Sequence, residues 1–259
     1  MGTSAAGSSP PPGRAWWGML TLTVALVFGL FQWSAVTLRS DRGQQGLVVG
    51  LIVVLACWLV QRVVWHREGA ADTVRALGLG RPASRGVRRA ALIGLLLLLV
   101  VPACLLANQV PARLYPGWIW LLPGLMAQGG IAEEVLFRGY LFGAVRGHYP
   151  FWRAATLSAL PFVAAHLLLF LGMTWPVALA STLLALVSSF PLARLYELGG
   201  GTIWPPALLH FVIQGGLKVI DVPGEAGMRL TMTWFVAAAV LPWLAFARNP
   251  LVKQGITQV

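Results

Sequence analysis

Apolar residues run along this chain in long blocks that are separated by short polar or glycine-rich connections. Blocks of about 20 residues are long enough to cross the roughly 30 Å hydrocarbon core of a bilayer as helices. The blocks lack the polar face that a helix on the surface of a soluble protein shows. The pattern therefore predicts about eight spans, near residues 16–38, 46–65, 90–110, 118–145, 154–172, 175–193, 202–220 and 230–247.

The predicted fold class is all-α: a polytopic membrane protein with one transmembrane helical domain over residues 15–248. Residues 1–14, MGTSAAGSSPPPGR, are small, polar and proline-rich, which predicts a disordered N-terminal tail. Residues 249–259 are expected to form a short C-terminal tail. The apolar run after Arg14 is too long for a signal-peptide core and lacks a small-residue cleavage site, so we expect it to remain as the first span.

Composition supports a membrane protein. The 259 residues are 58% hydrophobic and 10% charged, whereas a soluble domain has roughly 25% charged residues. The net charge of +11 does not indicate nucleic-acid binding, because the basic residues lie in short loops between spans. Cys57 and Cys104 lie in different apolar spans, so neither a disulfide framework nor a paired metal site is predicted. The expected surroundings are the lipid bilayer.

The basic residues predict the orientation in the membrane. The loop between the second and third spans, with its flanks, holds Arg62, Arg67, Arg75, Arg81, Arg85, Arg88 and Arg89. If this loop is cytoplasmic, both termini are cytoplasmic, and 14 of the 19 basic residues lie inside. A patch for anionic lipids is the alternative interpretation of the loop. We expect a multi-pass protein of the cell inner membrane.

Two adjacent glutamates, Glu133 and Glu134, lie in the middle of the fourth predicted span. A central carboxylate costs about 2.5–3.5 kcal/mol on insertion scales, which favours a functional role. The helix could instead end early and place both glutamates at the interface, but apolar residues continue beyond them. Arg138 follows Glu134 by one turn and can neutralise it, leaving Glu133 free. Gly129 and Gly130 would let a neighbouring helix approach closely.

Two histidines in other spans lie at a comparable depth. At 1.5 Å per residue, His166, His210 and Glu133 are about 18, 12 and 20 Å from the cytoplasmic ends of their spans. Gln214 is one turn after His210, on the same face. A carboxylate that activates water, with donors for an oxyanion opposite it, indicates amide hydrolysis inside the membrane. Glutamate and histidine are also plausible zinc ligands.

Three short motifs, in order and on separate predicted helices, resemble those of a known family. EEVLFR at 133–138 fits EExxxR, FVAAH at 162–166 fits FxxxH, and HFVIQ at 210–214 approximates HxxxN. The chain thus resembles the CAAX-protease and bacteriocin-processing (CPBP or ABI) family, which includes the type II CAAX prenyl endopeptidases and bacterial immunity proteins. Motif order and spans agree from about residue 75 to residue 220.

The resemblance implies an eight-helix intramembrane endopeptidase with a conical cavity open to the cytoplasm, acting on a membrane-associated protein or peptide. It assigns Glu133 as the general base, which shares the nucleophilic water with His166. His210 and Gln214 would stabilise the oxyanion. The supporting residues of the motifs are Glu134, Arg138 and Phe162. We expect no cofactor and no metal, because no local ligand pair such as HExxH is present to anchor zinc.

Two other functional classes remain open. Gln214 stands where the family has mostly Asn, and its extra methylene favours the alternative of a non-catalytic membrane scaffold or bacteriocin-immunity protein. A transporter is the third hypothesis, because buried carboxylates also mark proton relays. Its usual inverted repeats and broken helices are not evident in the sequence.

Overall fold

The computed structural model describes residues 12–39, 43–111 and 113–247. Most of the predicted N-terminal tail and all of the predicted C-terminal tail therefore lie outside the described residues. The described chain is almost entirely helical, which confirms the all-α prediction. Six of its helical segments are long and apolar enough to cross a membrane: 14–37, 44–63, 84–108, 151–171, 175–198 and 224–246.

The helices follow one another with short connections. They are α1 (Arg14–Thr37), α2 (Gln44–Val63), α3 (Ala70–Ala76), α4 (Ser84–Leu98), α5 (Val100–Asn108), α6 (Trp118–Gly124), α7 (Gly143–Arg146), α8 (Phe151–His166), α9 (Trp175–Leu198), α10 (Trp204–Gly215) and α11 (Gly224–Val240). The 3-10 segments Leu167–Leu171 and Leu241–Phe246 extend α8 and α11. A two-residue ladder pairs β1 (Arg113–Leu114) with β2 (Ile220–Asp221), antiparallel.

All eight predicted spans contain a helix, but some ends differ from the prediction. The predicted helix 202–220 is wrong beyond residue 215, because α10 ends at Gly215. Gly215 and Gly216 are poor helix formers, and the following backbone pairs with β1 instead. The third span is divided at Leu99, since Pro102 removes the hydrogen bond to the carbonyl four residues earlier. The short α3 lies in the predicted loop 66–89.

A continuous helical path, here called the site helix, runs through residues 118–146. Between α6 and α7 it contains two π-helical segments, Leu125–Ala132 and Val135–Phe142. Glycines of α2 allow close packing against it, since a β-carbon on Gly46 would lie 2.9 Å from the backbone of Gly124. The site helix also contacts α1, α8 and α10. It is therefore the central element of the bundle.

The ends of the helices form two opposite faces. On the first, here called the arginine face, the ring of Trp16 contacts Trp65 and His148, and Trp204 Nε1 donates to the carbonyl of Gly80 over 2.8 Å. The second, here called the strand face, carries the β1–β2 ladder. The loop 64–83 with its arginines belongs to the arginine face, together with the 147–150 and 199–203 connections.

Candidate active site

The two glutamates lie at the junction of the two π-helical segments of the site helix. Extended i→i+5 turns of this kind are uncommon and often coincide with functional sites. The glycines before them face α10: a β-carbon on Gly129 would collide with the side-chain amide of Gln214, and one on Gly130 would lie 3.1 Å from the Ala207 carbonyl. The close helix approach predicted from these glycines is confirmed.

Glu134 is completely buried and accepts hydrogen bonds from two side chains. Arg138 Nη1 donates to Glu134 Oε1 over 3.0 Å, as the sequence predicts. His210 Nδ1 lies 2.7 Å from the same oxygen. Since a carboxylate only accepts, Nδ1 of His210 carries a proton and donates. Glu134 thus fixes the orientation of His210, a contact between two motifs that sequence reasoning did not predict.

Glu133 has a different environment from its neighbour. Its side chain is 12% exposed, against 0% for Glu134. Gln214 Nε2 lies 3.4 Å from Glu133 Oε1 and 2.5 Å from His210 Nε2, and His210 Nε2 is 3.8 Å from Glu133 Oε2. The amide of Gln214 therefore bridges the partly exposed carboxylate and the imidazole.

His166 reaches the same site from the end of α8. Its Nδ1 lies 2.8 Å from the carbonyl oxygen of Phe162, which only accepts, so Nδ1 donates and Nε2 remains for a further partner. The ring of Phe162 lies 4.7 Å from the His166 ring and 4.2 Å from the guanidinium carbon of Arg138. Phe162 thus holds the imidazole and covers the buried arginine.

A cavity of about 430 Å³ connects the polar groups. Its walls are mainly apolar, and Glu133, His166, His210 and Gln214 all line it. Gln128, buried on the site helix, is a further polar lining residue that sequence reasoning missed. The sequence feature that could have identified Gln128 is its amide side chain in an apolar run, five residues before Glu133. The arrangement can position water against a carbonyl group beside a carboxylate.

The structure brings all seven sequence-predicted residues together, at the centre of a multi-pass membrane protein. Among residues 12–39, 43–111 and 113–247, no group of three or more histidine, cysteine, aspartate or glutamate side chains has the geometry to hold a metal ion. The chain is thus a multi-pass helical membrane protein with a buried cluster of carboxylates and imidazoles in its bundle.

Comparison with family models identifies a more specific similarity. Residues 115–215 match the Rce1-like family, described as type II CAAX prenyl endopeptidase Rce1-like. The match confirms the resemblance seen in the motifs, and all three motifs lie within it. This family is generally one of membrane proteases. A comparison with curated proteins finds no match.

Proposed function

We propose that the protein is an intramembrane endopeptidase of the glutamate type, which hydrolyses a peptide bond in a membrane-associated protein or peptide. The observation that carries this proposal is the difference between two adjacent carboxylates. Glu134 is fully buried and engaged by Arg138 and His210, whereas Glu133 is partly exposed to the cavity. Because Glu134 is buried and already paired, Glu133 is the carboxylate that can exchange a proton with water.

In the proposed reaction Glu133 takes a proton from a water molecule, and the water oxygen attacks the carbonyl carbon of the scissile bond. His166 Nε2 holds the same water. The tetrahedral intermediate carries the negative charge on the former carbonyl oxygen. Glu133 then delivers the proton to the amine nitrogen, the C–N bond breaks, and a carboxylic acid and an amine leave.

His210 and Gln214 are the proposed donors to the oxyanion. Because Nδ1 of His210 already donates to Glu134, His210 can donate to substrate from Nε2 only when both nitrogens carry protons. The Glu134 carboxylate would stabilise that positive charge. Gln214 must also turn one N–H from Glu133 or His210 towards the substrate carbonyl. The charge-assisted pair of Glu134 and His210 favours this arrangement.

The substitution Glu133→Gln tests the proposal, because it preserves shape and removes the base. We expect cells that express Glu133→Gln to lose the new protein termini that the wild-type protein produces, as measured by proteomic comparison of termini. Glu225→Gln is the matched control, since Glu225 is an exposed carboxylate of α11. Identical termini in wild type and Glu133→Gln would contradict the proposal and favour a non-catalytic scaffold.

A further inference from the structure

A cavity of about 330 Å³, here called the arginine-face pocket, contains none of the proposed catalytic residues. It lies where α1 begins and where α2 and α7 end, and Trp16, Trp65 and His148 form its aromatic walls. The Trp16 ring is centred 6.0 Å from that of Trp65 and 5.1 Å from that of His148. Trp65 Nε1 also donates to the Tyr140 hydroxyl over 2.7 Å. The walls are therefore fixed by contacts within the bundle.

The charge of this pocket is positive. Two exposed arginines, Arg67 and Arg75, line it, and none of the described residues of its lining is an aspartate or a glutamate. Arg75 is paired with Asp72, which lies outside the lining. The guanidinium of Arg67 has no ion-pair partner in the part of the chain that the structure describes. An unpaired guanidinium in such a place suits the oxygen atoms of a phosphate group.

Gln61 adds a second requirement for a bound molecule. Its side chain lines the pocket, the residue is 5% exposed, and its Oε1 is buried without a hydrogen-bond partner among the described residues. Since an unpaired buried carbonyl oxygen is unfavourable, a donor from a ligand would stabilise it. The oxygens of a phosphate diester only accept hydrogen bonds, so the donor must be another group of the same ligand, such as a hydroxyl.

The location of the pocket favours a lipid as the source of these groups. Tryptophan is enriched at the headgroup level of the membrane, and basic pockets between transmembrane helices bind anionic headgroups. Beyond Trp16, helix α1 exposes Met19, Leu22 and Leu26. These residues follow one another at intervals of three or four, so they share one side of the helix. Acyl chains can therefore lie along α1 beside the pocket.

We propose that the arginine-face pocket binds the headgroup of an anionic phospholipid that carries a hydroxyl group, such as phosphatidylglycerol. The phosphate lies against Arg67, and a headgroup hydroxyl donates to Gln61 Oε1. This differs from a general attraction between the basic loop and anionic lipids, which requires charge alone. The proposal does not depend on the proposed endopeptidase function, because the two cavities have no lining residue in common.

Native mass spectrometry of the purified full chain in detergent micelles tests both contacts. It measures the Kd of the first bound phosphatidylglycerol and of phosphatidylmethanol, which has the same charge but no hydroxyl. We expect the wild-type protein to bind phosphatidylglycerol about two- to tenfold more tightly, the ratio for one net hydrogen bond. Gln61→Leu should bind the two lipids equally. Arg67→Gln should weaken the binding of both by about fivefold. Arg85→Gln, an exposed arginine of α4 outside the pocket, is the charge-matched control and should change neither.

Three results would overturn the proposal. Equal affinity of the wild-type protein for the two lipids would show that no hydroxyl is recognised. Equal losses in Arg67→Gln and Arg85→Gln would show that net charge, not the pocket, attracts the lipid. Displacement of phosphatidylglycerol by an equal concentration of glycerol 3-phosphate would show that the ligand is a soluble phosphate. Thermal unfolding checks the fold of Gln61→Leu, which loses no hydrogen bond from Oε1, and Gln61→Met is a second variant that should give the same result.

Discussion

The contact between Gly129 and Gln214 allows the role of this amide to be tested from the opposite helix. In Gly129→Ala, the added β-carbon would lie 3.0 Å from the amide carbon of Gln214 and 3.4 Å from its Nε2, with Oε1 closer still. Carbon atoms in favourable contact are about 3.5–4.0 Å apart, so the amide must move by about 0.5–1 Å. Preorganised sites tolerate only about 0.5 Å.

The expected loss of activity follows from what the amide does. If Gln214 stabilises the oxyanion, Gly129→Ala should lower kcat towards the level of Gln214→Ala, about 10²–10³-fold below wild type. KM should change little, because the bond strengthens only in the transition state. If Gln214 merely joins two helices, the contact contributes about 0.6 kcal/mol to stability, and turnover should stay near that of the wild type.

A second substitution should restore the activity. Asn is shorter than Gln by one carbon–carbon bond, about 1.5 Å, so Gln214→Asn makes room for the new methyl group. We expect Gly129→Ala/Gln214→Asn to cleave at the rate of Gln214→Asn alone. The assay is the turnover of a protein whose cleavage depends on Glu133.

Gly29→Ala is the matched control, because a β-carbon on this helical glycine would meet nothing within 4 Å. Thermal unfolding shows whether Gly129→Ala has lost activity through loss of the fold, since overpacking costs about 1–3 kcal/mol. Near-normal turnover of a stable Gly129→Ala protein, or no recovery in the double variant, would refute an oxyanion role for Gln214.

Two further predictions concern the buried charge and metal dependence. Glu134→Gln should destabilise the protein by about 3–5 kcal/mol, because it leaves the buried Arg138 without its carboxylate; thermal unfolding checks this, and a wild-type midpoint would contradict it. The exposed pair of Glu225 with Arg229 is the control, as Glu225→Gln should have almost no effect on stability. Cleavage should survive chelation of zinc, and loss of activity that stoichiometric zinc restores would reverse this expectation.

The sequence predicted the location of the helices better than their internal geometry. Hydropathy reports which segments are long and apolar, and all eight predicted spans contain a helix. Neither the site helix nor α10 is among the six apolar spans. The charged residues of the site helix lower its hydropathy, and α10 is too short because it ends at Gly215. Hydropathy does not encode the hydrogen-bond register, so the π-helical segments could not be predicted from it.

The candidate site was predictable as a set of residues but not as a network. The depth of Glu133, His166 and His210 indicated that they converge, and the spacing of Glu134 and Arg138 indicated their pair. The contact of Glu134 with His210 joins residues 76 positions apart, so it depends on the packing of the site helix against α10.

The π-helical segments make the site sensitive to chain length as well as to side-chain identity. Each i→i+5 turn contains one residue more than the corresponding α-helical turn. Loss of one residue between positions 125 and 132 would let that turn become α-helical and rotate the preceding side chains by about 100° relative to Glu133. Either Gly129 would then no longer pack against Gln214, or the Glu133 side chain would no longer line the cavity. Variation among functional relatives should therefore occur as substitutions in this segment, with insertions and deletions confined to the loops.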